Sequence, residues 1–124
     1  MAYPWSALGL KTLLVIGSTG QLGGALLRLQ DKMGYRVIGL SRSDLEVAHP
    51  EKLEEFLDEY TPVAVINTAA FHVLADCEVH PEKAFAVNTF ATAQLAALCA
   101  KRDIYFVTYS TDYAFDGEKG APYT

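Results

Sequence analysis

The segment Gly17-Ser18-Thr19-Gly20-Gln21-Leu22-Gly23 sets three glycines at a spacing suited to cradling a phosphate. In such a turn Gly17 permits the tight reversal, Gly20 keeps a Cβ out of the path of a pyrophosphate, and Gly23 lets a helix pack closely. A helix opening there adds unpaired N–H groups and a positive dipole end. The bland alternative is a tight turn and nothing more. Arg42, within Ser41-Arg42-Ser43, carries a planar fork that matches the oxygens of a 2′-phosphate, which favours NADP; a solvated loop arginine is the alternative, and NAD stays open. Asn67-Thr68-Ala69-Ala70 has small residues that leave room for a ligand, or simply for close packing. Ser110-Thr111-Asp112-Tyr113 brings hydroxyls and a carboxylate together. Thr111 can donate to a carbonyl oxygen on which charge develops during hydride transfer, although the tetrapeptide alone also reads as a turn. His49, His72 and His80 stand at no ligand spacing with Cys or Asp, so no metal site is expected. Glu51, Glu54, Glu55, Asp58 and Glu59 read as the solvated face of a helix.

Two kinds of segment alternate to position these residues. Thr12 to Ile16 is a short apolar run ending in glycine, the pattern of a buried parallel strand. The spacing of Leu22, Ala25, Leu26 and Leu29 predicts a helix from Gly20 to Met33, stopped by Gly34. Tyr35 to Leu40 reads as a second strand and Ser41 to His49 as a polar connection. Pro50 suits the first turn of a helix running to Tyr60, with Leu53, Phe56 and Leu57 on one face. Val63 to Asn67 is the third strand, and Phe71 to His80 has no clear pattern. Pro81 opens a long Ala- and Leu-rich helix to about Lys101, and Ile104 to Tyr109 is the fourth strand. Ser110 to Thr124 shows turn residues without periodicity.

This alternation predicts an α/β, Rossmann-type, doubly wound parallel sheet with helices on both faces. A fold of this kind has about six strands. About four are legible, so the sheet is expected to be truncated, with residues 1–124 forming one dinucleotide-binding domain.

A hydrophobic content of 51% argues against disorder. The net charge of −5, with no basic cluster, argues against nucleic acid or an acidic membrane as partner. The apolar runs are strand-sized, so no span is expected. Met1 to Leu10 shows neither a basic region nor a long apolar one, so no secretion signal is read there. Cys77 and Cys99 form no CxxC and read as reduced thiols, which points to the cytoplasm. An apolar fourth strand, Ile104-Tyr105-Phe106-Val107, left at an edge would invite self-association.

The glycine turn, Val65-Ile66-Asn67-Thr68-Ala69-Ala70-Phe71-His72, Val87-Asn88 and Ser110-Thr111-Asp112-Tyr113-Ala114-Phe115-Asp116-Gly117 together resemble the dTDP-4-dehydrorhamnose reductases, of the extended short-chain dehydrogenase/reductase group. The likeness runs from Lys11 onward. Its specific part is the last motif with the adjoining Pro122-Tyr123; the glycine turn alone points only to the wider group. The resemblance implies an oxidoreductase of nucleotide-sugar metabolism, in dTDP-rhamnose biosynthesis. It would reduce the 4-keto group of dTDP-6-deoxy-L-lyxo-4-hexulose with NADPH or NADH. By resemblance, Gly20, Gln21 and Leu22 bind the pyrophosphate, and Glu46 and Val47 lie beside the adenine, Glu46 replacing a more usual aspartate. Ala69, Ala70, Phe71 and Tyr109 match cofactor contacts, with Phe71 where Tyr or His is frequent. Thr111 matches the catalytic threonine and Asp112 a substrate contact. Ala75 stands where aspartate is common.

The family's proton donor is the tyrosine of a Tyr-x-x-x-Lys motif, and no tyrosine here has a lysine four residues later. The sequence is therefore expected to be the N-terminal part of such an enzyme, lacking the substrate lobe and inactive alone. The resemblance also reaches the regulatory subunit of methionine adenosyltransferase, which implies a non-catalytic dinucleotide-binding protein as the alternative.

Overall fold

A computed structural model describes residues 9–49 and 51–124. Pro50, read as opening the second helix, lies outside the described residues, as do residues 1–8 of the segment read for a leader. The elements run β1 (Thr12–Ile16), α1 (Gln21–Arg28), α2 (Gln30–Met33), β2 (Arg36–Leu40), α3 (Glu51–Tyr60), β3 (Ala64–Asn67), α4 (Leu74–Val79), α5 (Pro81–Phe85), a π-helical segment (Ala86–Ala91), α6 (Thr92–Lys101) and β4 (Tyr105–Thr108).

The strands form one four-stranded sheet in the order β2-β1-β3-β4, and every pairing is parallel. This is the expected α/β Rossmann-type sheet. The chain leaves β1 for β2 on one side and then crosses back to β3 on the other, so strand order reverses beside β1. Register makes the carboxyl ends level: Ile16 pairs with Leu40 and Asn67, and Asn67 with Thr108. Whatever follows each strand therefore emerges along one edge.

β1 is central, so it must be apolar on both faces. Leu14, Val15 and Ile16 are all buried. Leu14, Ile16 and Val65 pack with Leu53 and Leu57 of α3 and Leu95 and Cys99 of α6 in the main core. α1 lies over β2, where Leu27 occupies the space a side chain at Gly39 would need: a Cβ there would stand 2.7 Å from Leu27 Cδ2.

Three expectations change. The helix expected over 20–33 breaks at Leu29 into α1 and the single turn α2, which Gly34 ends at φ 66°. Its inward face is set by Gly23, which is buried, while Leu22 and Leu29 are exposed. The helix brings Gly23 against the Gly17 carbonyl, so that Leu22 and Leu29 of the stripe read from the sequence are left exposed while Ala25 and Leu26 stay half-buried. The expected polar connection after β2 buries Leu45 and Val47 in the core. Finally, the long helix expected over 81–101 contains the π-helical segment. Val87, Ala91, Leu95 and Cys99 recur every four residues, a spacing that drifts by about 40° per step in a regular α-helix. The wider π turn absorbs part of that drift.

Candidate functional site

Gly17 leaves β1 at φ 81°, a left-handed conformation that favours glycine. Its amide and that of Ser18 both donate to Leu40 O, at 2.9 and 3.1 Å, which ties the turn to the end of β2. Gly20 N donates to Gly17 O at 3.0 Å, and Gly24 N to Gly20 O at 2.9 Å, the bond that starts α1. No side chain caps α1, so its opening amides are left to a ligand or water. Thr68 closes the other side of the turn. Its hydroxyl donates to Ile16 O at 2.7 Å, with Gly17 O a second acceptor at 3.2 Å. A Cβ at Gly17 would stand 2.8 Å from Thr68 Oγ1 and 2.9 Å from Ala69 N. A Cβ at Gly23 would strike the Gly17 carbonyl oxygen. At Gly20 it would meet Gly17 O closely, at 3.3 Å, and no other atom within 4 Å, so beyond that contact the position faces open space.

That space is a cleft of about 440 Å³. The first turn contributes Ile16, Gly17, Thr19, Gly20 and Gln21. The connection after β2 contributes Arg42, Leu45, Glu46 and Val47; the end of β3 contributes Thr68, Ala69, Ala70, Phe71 and His72, with Val87 opposite. Volume and position, outside the strand ends where strand order reverses, are those of a small-molecule site.

The connection after β2 is shaped by Asp44. Its Oδ2 accepts Ser41 N at 2.8 Å and Ser41 Oγ at 2.6 Å, and these bonds hold its carboxyl below the usual carboxylate range. Leu45 N then bonds Ser41 O at 3.0 Å. The turn sends Leu45 into the core and leaves Arg42 and Glu46 at the cleft. Arg42 Nε donates to Glu46 Oε2 at 2.7 Å, and this bond lowers the Glu46 pKa against a weaker opposing effect of burial.

The loop after β3 is fixed from two sides. Asn67, buried, accepts the Ala69 amide on Oδ1 at 3.2 Å. Asn88, in the π-helical segment, accepts Phe71 N on Oδ1 at 2.9 Å and donates from Nδ2 to Phe71 O at 2.8 Å. One side chain thus satisfies both backbone groups of one cleft residue. Cys77 Sγ adds a third bond to this residue, a second donor to Phe71 O at 3.3 Å.

Of the site residues read from the sequence, the cleft brings together Gly17, Gly20, Gln21, Arg42, Glu46, Val47, Ala69, Ala70 and Phe71. Gly23 lies behind it as a packing contact, and Leu22 is exposed beside it. Tyr109, Thr111 and Asp112 follow β4 along the same sheet edge, outside the cleft and exposed. Thr111 Oγ1 accepts the Tyr113 amide at 3.2 Å and directs its hydrogen toward Asp112 Oδ1, 3.4 Å away. Sequence reading missed Thr19, Leu45, His72 and Val87 as lining residues, and the roles of Thr68 and Asn88. Val87-Asn88 stood in the resemblance, but nothing in the sequence tells that its amide reaches Phe71. Among the described residues no cluster of His, Cys, Asp and Glu is arranged to hold a metal, and no helix is long and apolar enough to cross a membrane.

A parallel sheet with a glycine cradle at the reversal of strand order defines a Rossmann-type α/β protein. Within that class, the chain belongs to the family described as the RmlD substrate binding domain, whose model matches residues 11–124. It is 40% identical over 114 residues to the probable low-salt glycan biosynthesis reductase Agl14 of Haloferax volcanii, covering 84% of this chain and 38% of that protein. It is 37% identical over 111 residues to the dTDP-4-dehydrorhamnose reductase of Burkholderia thailandensis, covering 90% of this chain and 37% of the relative. The crystal structure of a dTDP-4-dehydrorhamnose reductase from Clostridium acetobutylicum superimposes with a TM-score of 0.83 at 31% identity, over 90% of this chain and 40% of that one. The chain thus spans well under half the length of these relatives.

Proposed function

We propose that the cleft holds a nicotinamide dinucleotide and that this chain is the cofactor-binding portion of a cytoplasmic nucleotide-sugar 4-keto reductase. Its substrate would be dTDP-6-deoxy-L-lyxo-4-hexulose and its product dTDP-L-rhamnose. One observation carries the reading: Gly17, Gly20 and Gln21 meet Ala69, Ala70 and Phe71 in one cleft at the reversal of strand order. The names of the Burkholderia and Clostridium relatives support the substrate class. The residues fit the cofactor: an uncapped helix start for phosphate and a Gly20 with nothing but Gly17 O near its missing Cβ.

When bound, the dinucleotide supplies a hydride to the keto carbon. The turn at Gly20, Gln21 and Leu22, where α1 opens, would hold the pyrophosphate; Glu46 and Val47 would flank the adenine; Ala69, Ala70 and Phe71 would line the remainder of the cleft, with Tyr109 beyond it along the same sheet edge. Thr111 exchanges its long contact to Asp112 for the keto oxygen, a gain because a 3.4 Å bond is weak. Asp112 then holds the sugar. The family takes its proton from the tyrosine of Tyr-x-x-x-Lys, which these 124 residues do not contain. The chain alone is expected to bind cofactor without turnover.

Calorimetric titration with NADPH and NADH, followed by an assay on the dTDP-4-keto sugar, tests both halves. Binding to neither nucleotide overturns the reading of the cleft. Turnover by the chain alone overturns the reading of the missing acid. The resemblance also carries a second reading, a non-catalytic binding protein similar to the regulatory subunit of methionine adenosyltransferase. Turnover restored by adding a polypeptide that carries Tyr-x-x-x-Lys decides against it.

A further inference from the structure

α5, the π-helical segment and α6 run on without a break from Pro81 to Lys101, and one face of that helix has no partner. Phe85 is 58% exposed and Phe90 63%, and their rings lie 6.5 Å apart. Neither ring belongs to the core. The π-helical segment brings the two together. Five residues of a regular α-helix turn through about 500°, which would leave side chains at i and i+5 about 140° apart. The i→i+5 bonding of Ala86–Ala91 widens that turn and sets both rings on one face. Ala93, Ala97 and Ala100 continue the stripe from Phe90 at the spacing of a single helix face, and all three are exposed. Ala91, Leu95 and Cys99 fill the core side. The free stripe is therefore two large rings followed by three methyl groups. Its charges are polarised in the same direction. Glu82 stands in the first turn of α5 and Lys101 in the last turn of α6, each the sign that its helix end favours. Lys101 makes no ion pair among the described residues, and Glu82 has only a 3.6 Å contact to His80 Nδ1.

We propose that this helix face pairs with the same face of a second copy of the chain, in antiparallel order about a two-fold axis near Ala91 and Thr92. The bulky half of each stripe then meets the small half of the other. Phe90 sits against the partner's Ala93, Phe85 against the partner's Ala97, and Glu82 beside the partner's Lys101. All three pairings are centred on Ala91 and Thr92, so one register satisfies shape and charge together. A two-fold contact is self-complementary, and each of these pairings is made twice. Parallel order would set ring against ring and Glu82 against Glu82. The surface is separate from the β4 margin of the sheet. Leu95 and Cys99 place α6 on the main-core side, whereas Tyr105 and Val107 are exposed on the other face of the sheet.

Sedimentation equilibrium of the whole chain at low ionic strength tests the pairing, in wild type and with Tyr105→Lys and Val107→Lys blocking the sheet margin. Every substituted side chain is exposed, and circular dichroism confirms that each variant folds. A two-fold contact closes on itself, so with the margin blocked association is expected to stop at twice 13.5 kDa. Phe90→Ala in that background should weaken the dimer on the order of tenfold. Glu82→Lys should weaken it as well, by setting like charges together, and adding Lys101→Glu should restore it. A mere loss of helix stability gives no such rescue. A margin-blocked chain that stays monomeric at high micromolar concentration overturns the proposal. A dimer that Phe90→Ala leaves unchanged overturns it too, because the contact then lies elsewhere. A Glu82→Lys dimer as tight as its parent, or a double exchange that restores nothing, overturns the antiparallel order.

Discussion

Gly23 and Gly17 show how one absent carbon governs the site. A methyl group at Gly23 would meet the carbonyl oxygen of Gly17 and lie 2.9 Å from its carbon, and backbone on both sides cannot swing aside. Gly23→Ala must therefore push α1 off the turn. Overpacking of this kind costs about 1–3 kcal/mol. The expected outcome is a lowered midpoint in denaturant together with loss of nucleotide binding in titration. A variant with wild-type stability and affinity would contradict this contact. Thr68 gives the complementary lesson: its hydroxyl joins the ends of β1 and β3 and at the same time fills the space beside Gly17.

At the scale of elements, the π-helical segment and the loop after β3 act as one unit through Asn88. Asn88→Ala removes both bonds to Phe71, each worth about 0.5–1.5 kcal/mol. The Phe71 amide is then expected to exchange its hydrogen faster, and nucleotide affinity to fall, while amides of β1 keep their protection. Unchanged exchange at Phe71 would show that the loop is held by other means. The segment after β4 has a tie of its own. Tyr123 donates its hydroxyl to Asp116 Oδ1, Phe115 and Tyr123 rings lie 4.5 Å apart, and the Glu118 amide bonds the same carboxylate oxygen at 3.0 Å. The Tyr123 hydrogen bond, first, and the Glu118 amide hold the Asp116 carboxyl below its ordinary range. A lowered folded-state pKa stabilises the loop above the unfolded-state value, and that contribution is lost as pH falls through the folded one. Tyr123→Phe is expected to raise the Asp116 titration toward an ordinary aspartate, as read by carboxyl carbon NMR. An unmoved titration would place the cause elsewhere.

On the scale of the whole molecule, β4 forms one margin of the sheet among the described residues. Tyr105 is 79% and Val107 42% exposed, on the sheet face that carries Val15 and Ile66 in register and lies opposite the main core. α1 covers only the β1–β2 side of that face. An apolar strand with one unpaired edge offers a template for another chain. Self-association at high micromolar concentration is the expected outcome, seen in sedimentation as species heavier than 13.5 kDa. Tyr105→Lys with Val107→Lys should reduce it. A clean monomer of the wild-type chain at that concentration would exclude the edge as a contact.

The sequence by itself determined the alternation of strands and helices, the parallel sheet and the place of the glycine turn. These rest on local signals: apolar runs such as Leu13-Leu14-Val15-Ile16, the stop at Gly34, and glycines between a strand and a helix. It also placed Arg42, Ala69 and Ala70 as candidates, because each follows a strand end and parallel register carries strand ends to one edge; Glu46 and Phe71 were candidates only through the family resemblance. Only the tertiary structure decided which of those ends share a cleft. Ala69 and Phe71 join the glycine turn because β3 lies against β1, whereas Thr111 and Asp112 follow a strand one place farther out. It likewise decided that α1 turns Gly23 inward, that Leu45 and Val47 enter the core from a stretch that reads as polar, and that Asn88 grips Phe71. Each depends on contacts between segments distant in the chain, where neither periodicity nor turn chemistry leaves a mark.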